Sequence, residues 1–157
     1  MRVLIVGSGA GGATVAKELA AQDTEVVLLE CGPVIRERDA AHCYANVRSE
    51  VEILRTCCLG GSTLVSAGNC VRALESELRA LGLDLRAEFE ETERELRIRP
   101  LPDSHLGAGT NRLMAAATEL GFRVARIPKC IDHAKCTPCG NCAFGCPHNA
   151  KWTALEF

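Results

Sequence analysis

The chain has 157 residues, 47% of them apolar and 24% charged, with a formal net charge of -2. That is enough for one domain with a hydrophobic core, or one domain and part of another, in an ordinary soluble globular composition. A balance so near neutral gives no footing for a nucleic-acid or anionic-membrane partner, and no apolar run reaches the length of a transmembrane segment. Ten cysteines stand out. With no apolar leader ahead of VLIVG the expected address is cytoplasmic, where clustered cysteines point to metal or redox chemistry rather than a disulfide scaffold.

Residues 2–6, RVLIV, predict a buried strand, and Gly7 to Gly12 a glycine-rich turn. Val15, Ala16, Leu19 and Ala20 then recur at helical spacing as far as about Ala21. EVVLLE, residues 25–30, predicts a second buried strand. Strand, turn, helix, strand is the βαβ unit of a doubly wound sheet.

Pro33 predicts a turn, with loop and a short helix up to about residue 54. LGGSTLVSAGNC, residues 59–70, is a second glycine-rich element. From 73 to 98, Leu78, Leu81, Leu85, Phe89 and Leu96 predict solvated amphipathic helices, with Glu90–Arg94 and Glu93–Arg97 as opposite-charge pairs. A further helix is expected from about Leu106 to Leu120, stopped by Gly121, with FRVARI as a strand after it. The expected fold class is α/β: a Rossmann-like FAD/NAD(P)-binding βαβ unit with an incomplete sheet, a helical region, and a cysteine-rich cluster-binding loop. The expected divisions are 1–72 for dinucleotide binding, 73–128 for a helical segment and short strand, and 129–157 for the cysteine-rich segment.

Gly7, Gly9 and Gly12 fit G-x-G-x-x-G in the strand-to-helix context the motif demands, with Ala10 and Gly11 between them. The first glycine permits the tight turn, the second admits a pyrophosphate to the backbone, and the third lets helix and strand pack closely. Phosphate then meets the free N–H groups and positive dipole end of the helix. Glu30, ending the second strand, is placed to accept hydrogen bonds from an adenosine ribose. The motif alone does not separate NAD from FAD.

GSGAGGATVAKEL together with GGSTLVSAGNCVR resembles the glucose-methanol-choline family of FAD-dependent oxidoreductases. The resemblance implies that Gly60, Gly61, Ser62 and Thr63 contact flavin or its diphosphate, and that Gly68, Asn69 and Cys70 lie near the ring edge. Ser66 stands where the family commonly carries Asn or His, and Cys70 takes a position usually aromatic or Ala. The resemblance spans the chain but only the front part of a family member, without the histidine and its partner that act on the alcohol. No residue is therefore assigned as the catalytic base.

Cys136, Cys139, Cys142 and Cys146, followed by Pro147, have the C-x2-C-x2-C-x3-C-P spacing of bacterial ferredoxins, in which thiolates on a tight loop hold a [4Fe–4S] cluster. Gly140 and Gly145 lend the loop its freedom. The fourth ligand is Cys146 or a remote cysteine such as Cys130. Zinc is the rival metal, disfavoured because its sites usually split their ligands into two separated pairs. Cys31, Cys57 and Cys58 read as structural, and His42, His105, His133 and His148 as ordinary packing or surface residues.

Three functions follow as expectations. The first is the cofactor-holding N-terminal part of an FAD and iron–sulfur oxidoreductase acting on CH–OH donors, since some relatives of the resembled family, including sugar and polyol dehydrogenases, carry cysteines in a similar region. It requires a C-terminal half or partner subunit with the substrate site, and an electron acceptor protein or quinone-like carrier. The second is an electron-transfer subunit with the logic of heterodisulfide reductase. The third is a non-enzymatic zinc- or redox-dependent interaction module.

Overall fold

Parallel pairing of β1 (Arg2–Val6) with β2 (Glu25–Leu29), in the register Arg2 with Glu25 through Val6 with Leu29, is connected by α1 (Ala10–Ala20). The strands coincide with the sequence expectation to within a residue, whereas α1 begins at Ala10, inside the expected Gly7–Gly12 turn, and both strands, expected to be buried, alternate exposed and half-buried residues because β1 and β2 have only each other and α1 to pack on. The computed structural model describes residues 1–45, 47 and 49–157. They divide into two compact units, residues 1–67 with 140–157, and residues 68–139.

In the first unit, α1 packs close to β1 because Gly12 has no side chain: a Cβ there would lie 1.9 Å from the Gly7 carbonyl oxygen. Gly7 itself takes φ +91° to make the turn. A 3-10 segment (Glu37–Cys43) follows, then β3 (Tyr44–Ala45) antiparallel to β4 (Arg55–Thr56). The second glycine element becomes a 3-10 turn, Gly61–Leu64, entered through Gly60 at φ +85°. The core gathers here rather than under the sheet: Ala40, Cys58, Leu64 and Val65 are buried, with Ile35, Cys43 and Tyr44 packed on them. Tyr44 donates its hydroxyl to the Ala143 carbonyl at 2.5 Å, which ties the segment after Gly140 to that core.

The second unit holds α2 (Glu75–Ala80), α3 (Arg86–Glu95), β5 (Arg99–Pro100), α4 (Ala108–Glu119) and β6 (Pro128–Lys129). α4 ends in a Schellman arrangement at Gly121, with Phe122 N–H on the Ala117 carbonyl and Gly121 N–H on that of Thr118. Two expectations change. Residues 122–127, read as a strand, are irregular; pairing begins at Pro128–Lys129, against Arg99–Pro100, where a proline on each side removes a donor, with a further antiparallel bridge from Lys129 to Asn69. Glu93 is engaged by Arg72 through two 2.7 Å hydrogen bonds rather than by Arg97, because the helix stops at Glu95 and Arg97 turns left-handed at φ 52°. Among the described residues no helix is long and apolar enough to cross a membrane.

Candidate functional site

The first unit brings both glycine elements and Glu30 to one side chain, Ser8. Its N–H and hydroxyl both donate to Glu30 Oε2, at 3.0 and 2.6 Å, and its Oγ accepts the Gly60 N–H at 2.9 Å. Glu30 Oε1 accepts the Gly32 N–H at 2.8 Å. A Cβ on Gly61 would lie 3.1 Å from Gly9 Cα, so the second element rests directly on the first. Ser8 is the residue that sequence reasoning missed, although its place between Gly7 and Gly9 was the available signal.

The charge at this junction is fixed. The Ser8 hydroxyl, then the Ser8 and Gly32 N–H groups, hold the Glu30 carboxyl down to about 2 against an opposing effect of burial. The folded value lies below the ordinary 4.5, so the stabilisation is present above pH 4.5 and lost as pH falls from there towards 2. Acid unfolding followed by circular dichroism should show that loss in the parent chain and not in Glu30→Gln. Ser8→Ala leaves the buried Gly60 N–H without its acceptor and is expected to cost about 1–3 kcal/mol in denaturant unfolding.

What faces outward suits an anion. α1 starts at Gly9 without a side-chain cap, leaving its first N–H groups to solvent or a ligand. Added Cβ atoms at Gly9 and Gly11 meet nothing within 4 Å, whereas Gly12 is closed against Gly7. In the second element the hydroxyl side chains are already engaged. Ser62 Oγ accepts the Thr56 N–H at 3.1 Å, and buried Thr63 donates its hydroxyl to the Gly60 carbonyl at 2.6 Å while accepting the Ala154 N–H at 3.0 Å.

A buried ion pair sits behind Thr63. Lys151, its side chain 0% exposed, donates to the Thr63 carbonyl at 2.5 Å and lies 3.4 Å from Glu37 Oε1. Glu37 also accepts the Cys146 N–H at 3.3 Å. Burial raises its carboxyl above the ordinary value, and Lys151 opposes that rise. Neither residue carries a sequence signal, because nothing local distinguishes a buried lysine from a surface one.

The predicted cysteine ligands are shared out: Cys142 and Cys146 belong to the first unit, Cys136 and Cys139 to the second. Cys146 is buried and its Sγ accepts the Ala150 N–H at 3.3 Å. Gly145 is a close-contact position rather than a source of freedom: at φ +99°, a Cβ would lie 1.9 Å from the Glu37 carbonyl oxygen.

In the second unit Gly68 accepts the Cys130 N–H at 3.0 Å, and Asn69 Oδ1 accepts from Lys129 Nζ at 2.5 Å. Cys70 is pulled down to about 7, chiefly by a hydrogen bond from Cys130, with Lys129 helping and burial opposing. That lowering favours its thiolate, a property its spacing did not reveal. His105 and His133, read as ordinary, lie with ring centroids 5.7 Å apart and planes tilted by 46°.

The GMC oxidoreductase family model matches residues 1–156. The chain belongs to that family. Two sequences named as uncharacterised GMC-type oxidoreductases, from two strains of Mycobacterium tuberculosis, are 36% identical over 95% of this chain and 28% of their own length. An uncharacterised protein of Methanocaldococcus jannaschii is 35% identical over 98% of this chain and 36% of its length. This GMC chain thus spans about a third or less of the curated relatives it matches. Its mixed α/β architecture with small sheets is consistent with the N-terminal part of a GMC oxidoreductase.

Proposed function

We propose that the chain is the cofactor-holding N-terminal part of an FAD-dependent GMC oxidoreductase acting on CH–OH donors, with electrons passing from flavin to a [4Fe–4S] cluster. The observation that carries the FAD reading is the convergence of Gly9, Gly61, Gly60 and Glu30 on Ser8. A Rossmann-like βαβ unit explains that convergence: phosphate at the start of α1, and the adenosine ribose at the end of β2. When bound there, FAD supplies the hydride acceptor and the cluster a one-electron outlet.

The chain's own residues bind and orient. The N–H groups of Ala10, Gly11 and Gly12, at the start of α1, would hold the diphosphate, and Glu30, kept ionised by Ser8, would accept from the ribose hydroxyls. Gly60 and Gly61 allow the second backbone segment to approach, while Lys151 fixes Thr63 from behind. The spacing of Cys136, Cys139, Cys142 and Cys146, and the N–H donor on Cys146, support their reading as cluster ligands. The clustered placement of the ten cysteines, unlike that of a secreted disulfide scaffold, supports a reducing, cytoplasmic address.

A C-terminal half or partner subunit is the proposed source of the substrate site and of the rest of the sheet. The support is the open face of the β1–β2 pair, where Leu4 is 60% and Val6 81% exposed, since parallel sheets are normally covered on both faces. Anaerobic purification with that partner, followed by flavin, iron and sulfide analysis, tests the reading. It predicts flavin and iron in one complex and bleaching by an alcohol donor. Bleaching only by a reduced carrier protein would favour the electron-transfer subunit, and zinc with neither iron nor flavin would favour the interaction module.

A further inference from the structure

We infer that Glu30, Cys31 and Cys57 form a binding site for a thiophilic divalent cation of the zinc class, distinct from the ferredoxin-spaced cysteines. Among the described residues, one ligand atom from each of these three side chains lies within 4.8 Å of the others. The two sulfurs are 3.4 Å apart, and Cys31 Sγ is 3.6 Å from Glu30 Oε1. Tetrahedral zinc, with bonds of about 2.3 Å to sulfur and about 2.1 Å to oxygen, sets its ligands roughly 3.6–3.8 Å apart. The Cys31–Cys57 and Cys31–Glu30 separations are therefore within a few tenths of an ångström of that spacing, and the Cys57–Glu30 separation, within 4.8 Å, closes onto the ion on binding.

The fold holds them there. Gly32 comes so near the 57–58 backbone that a Cβ would lie 2.3 Å from Cys58 N, and Leu59 N–H donates to the Pro33 carbonyl at 3.0 Å. Those contacts dock the end of β2 against the segment carrying Cys57, so residues 26 apart in sequence meet. Glu30 Oε1 accepts both the Gly32 N–H and the Cys31 S–H, and loss of that thiol proton on binding frees the second lone pair for the ion. Cys31 is exposed, so an ion can enter and keep a fourth, solvent-facing position. Both thiols lose their protons on binding.

The site also draws on the carboxylate assigned above to the ribose, so metal and dinucleotide compete. That corollary rests on the FAD reading, whereas the metal site does not.

Co2+ titration of the metal-free, anaerobic chain tests it. In the form combining Cys136→Ser, Cys139→Ser, Cys142→Ser and Cys146→Ser, one equivalent is expected to bind with sulfur-to-cobalt charge-transfer absorption, and further Cys31→Ser or Cys57→Ser to abolish it. Should that form not fold, each single substitution in the unaltered chain is expected to remove one equivalent. Zn2+ is expected to shield Cys31 and Cys57 from alkylation. Unchanged stoichiometry in Cys31→Ser, or a Cys31–Cys57 disulfide in the anaerobic chain, would overturn the site. ADP is expected to weaken Co2+ binding in the parent chain and not in Glu30→Gln; an ADP effect that persists in Glu30→Gln would overturn the competition alone.

Discussion

Lys151→Met is expected to destabilise the first unit by about 3–5 kcal/mol, the cost of stranding a buried charge. Lys151 is fully enclosed and Glu37 is 8% exposed, so removal of the ammonium leaves a carboxylate that water cannot reach. The Thr63 carbonyl loses its 2.5 Å donor at the same time. Against a typical domain stability of about 5–15 kcal/mol, this is a large share. Urea unfolding should show a lowered midpoint at unchanged slope. The double variant Lys151→Met with Glu37→Leu should recover much of the loss, because a buried pair replaced by apolar groups is often neutral.

The pH dependence of that deficit has a definite sign. Burial places the folded pKa of Glu37 above its ordinary 4.5, so its protonated form favours the fold. Its contribution is fully present below 4.5 and lost as pH rises through the folded value. Lys151 is the charge that limits the rise, so its removal widens the window upward. The deficit of Lys151→Met is therefore expected to be greatest near neutrality and smallest in acid, and a deficit independent of pH would remove Glu37 from the explanation.

Gly145→Ala is expected to cost about 2–6 kcal/mol, from overpacking and from left-handed backbone strain acting together. The methyl would meet the Glu37 carbonyl oxygen at 1.9 Å, and that oxygen cannot retreat without moving the segment that also receives the Cys146 N–H. Gly140, at φ +76° but with nothing within 4 Å of a Cβ, offers the control: its alanine variant meets only the backbone penalty. Thermal melts of both variants should separate close contact from conformation. Equal losses at the two positions would show that the approach to Glu37 does not matter.

The parts legible in the sequence are those whose cause is local. β1, α1 and β2 follow from five-residue apolar runs and a glycine turn, and α4 from its stop at Gly121. FRVARI misleads because strand formation needs a partner edge, and the edges at Arg99–Pro100 and Asn69 meet the chain just after it, at Pro128–Lys129. At the site, Gly12 is readable because its reason for being glycine lies five residues away, in Gly7. Ser8 and Gly60 meet across 52 positions, and Lys151 reaches Thr63 across 88, distances over which no spacing rule operates. Gly32, invisible as part of any motif, proves to be what seats Cys57 beside Cys31.

The central claim is that the Ser8 junction seats the diphosphate and ribose of a dinucleotide. Residue-resolved amide spectra recorded during an ADP titration test it most directly. Saturable shifts are predicted for the amides of Gly9, Ala10, Gly11, Gly60 and Gly61, weakened in Glu30→Gln. Shifts confined to the cleft of about 570 Å³ between Glu90 and Arg99, or none at the glycine turns, would contradict it.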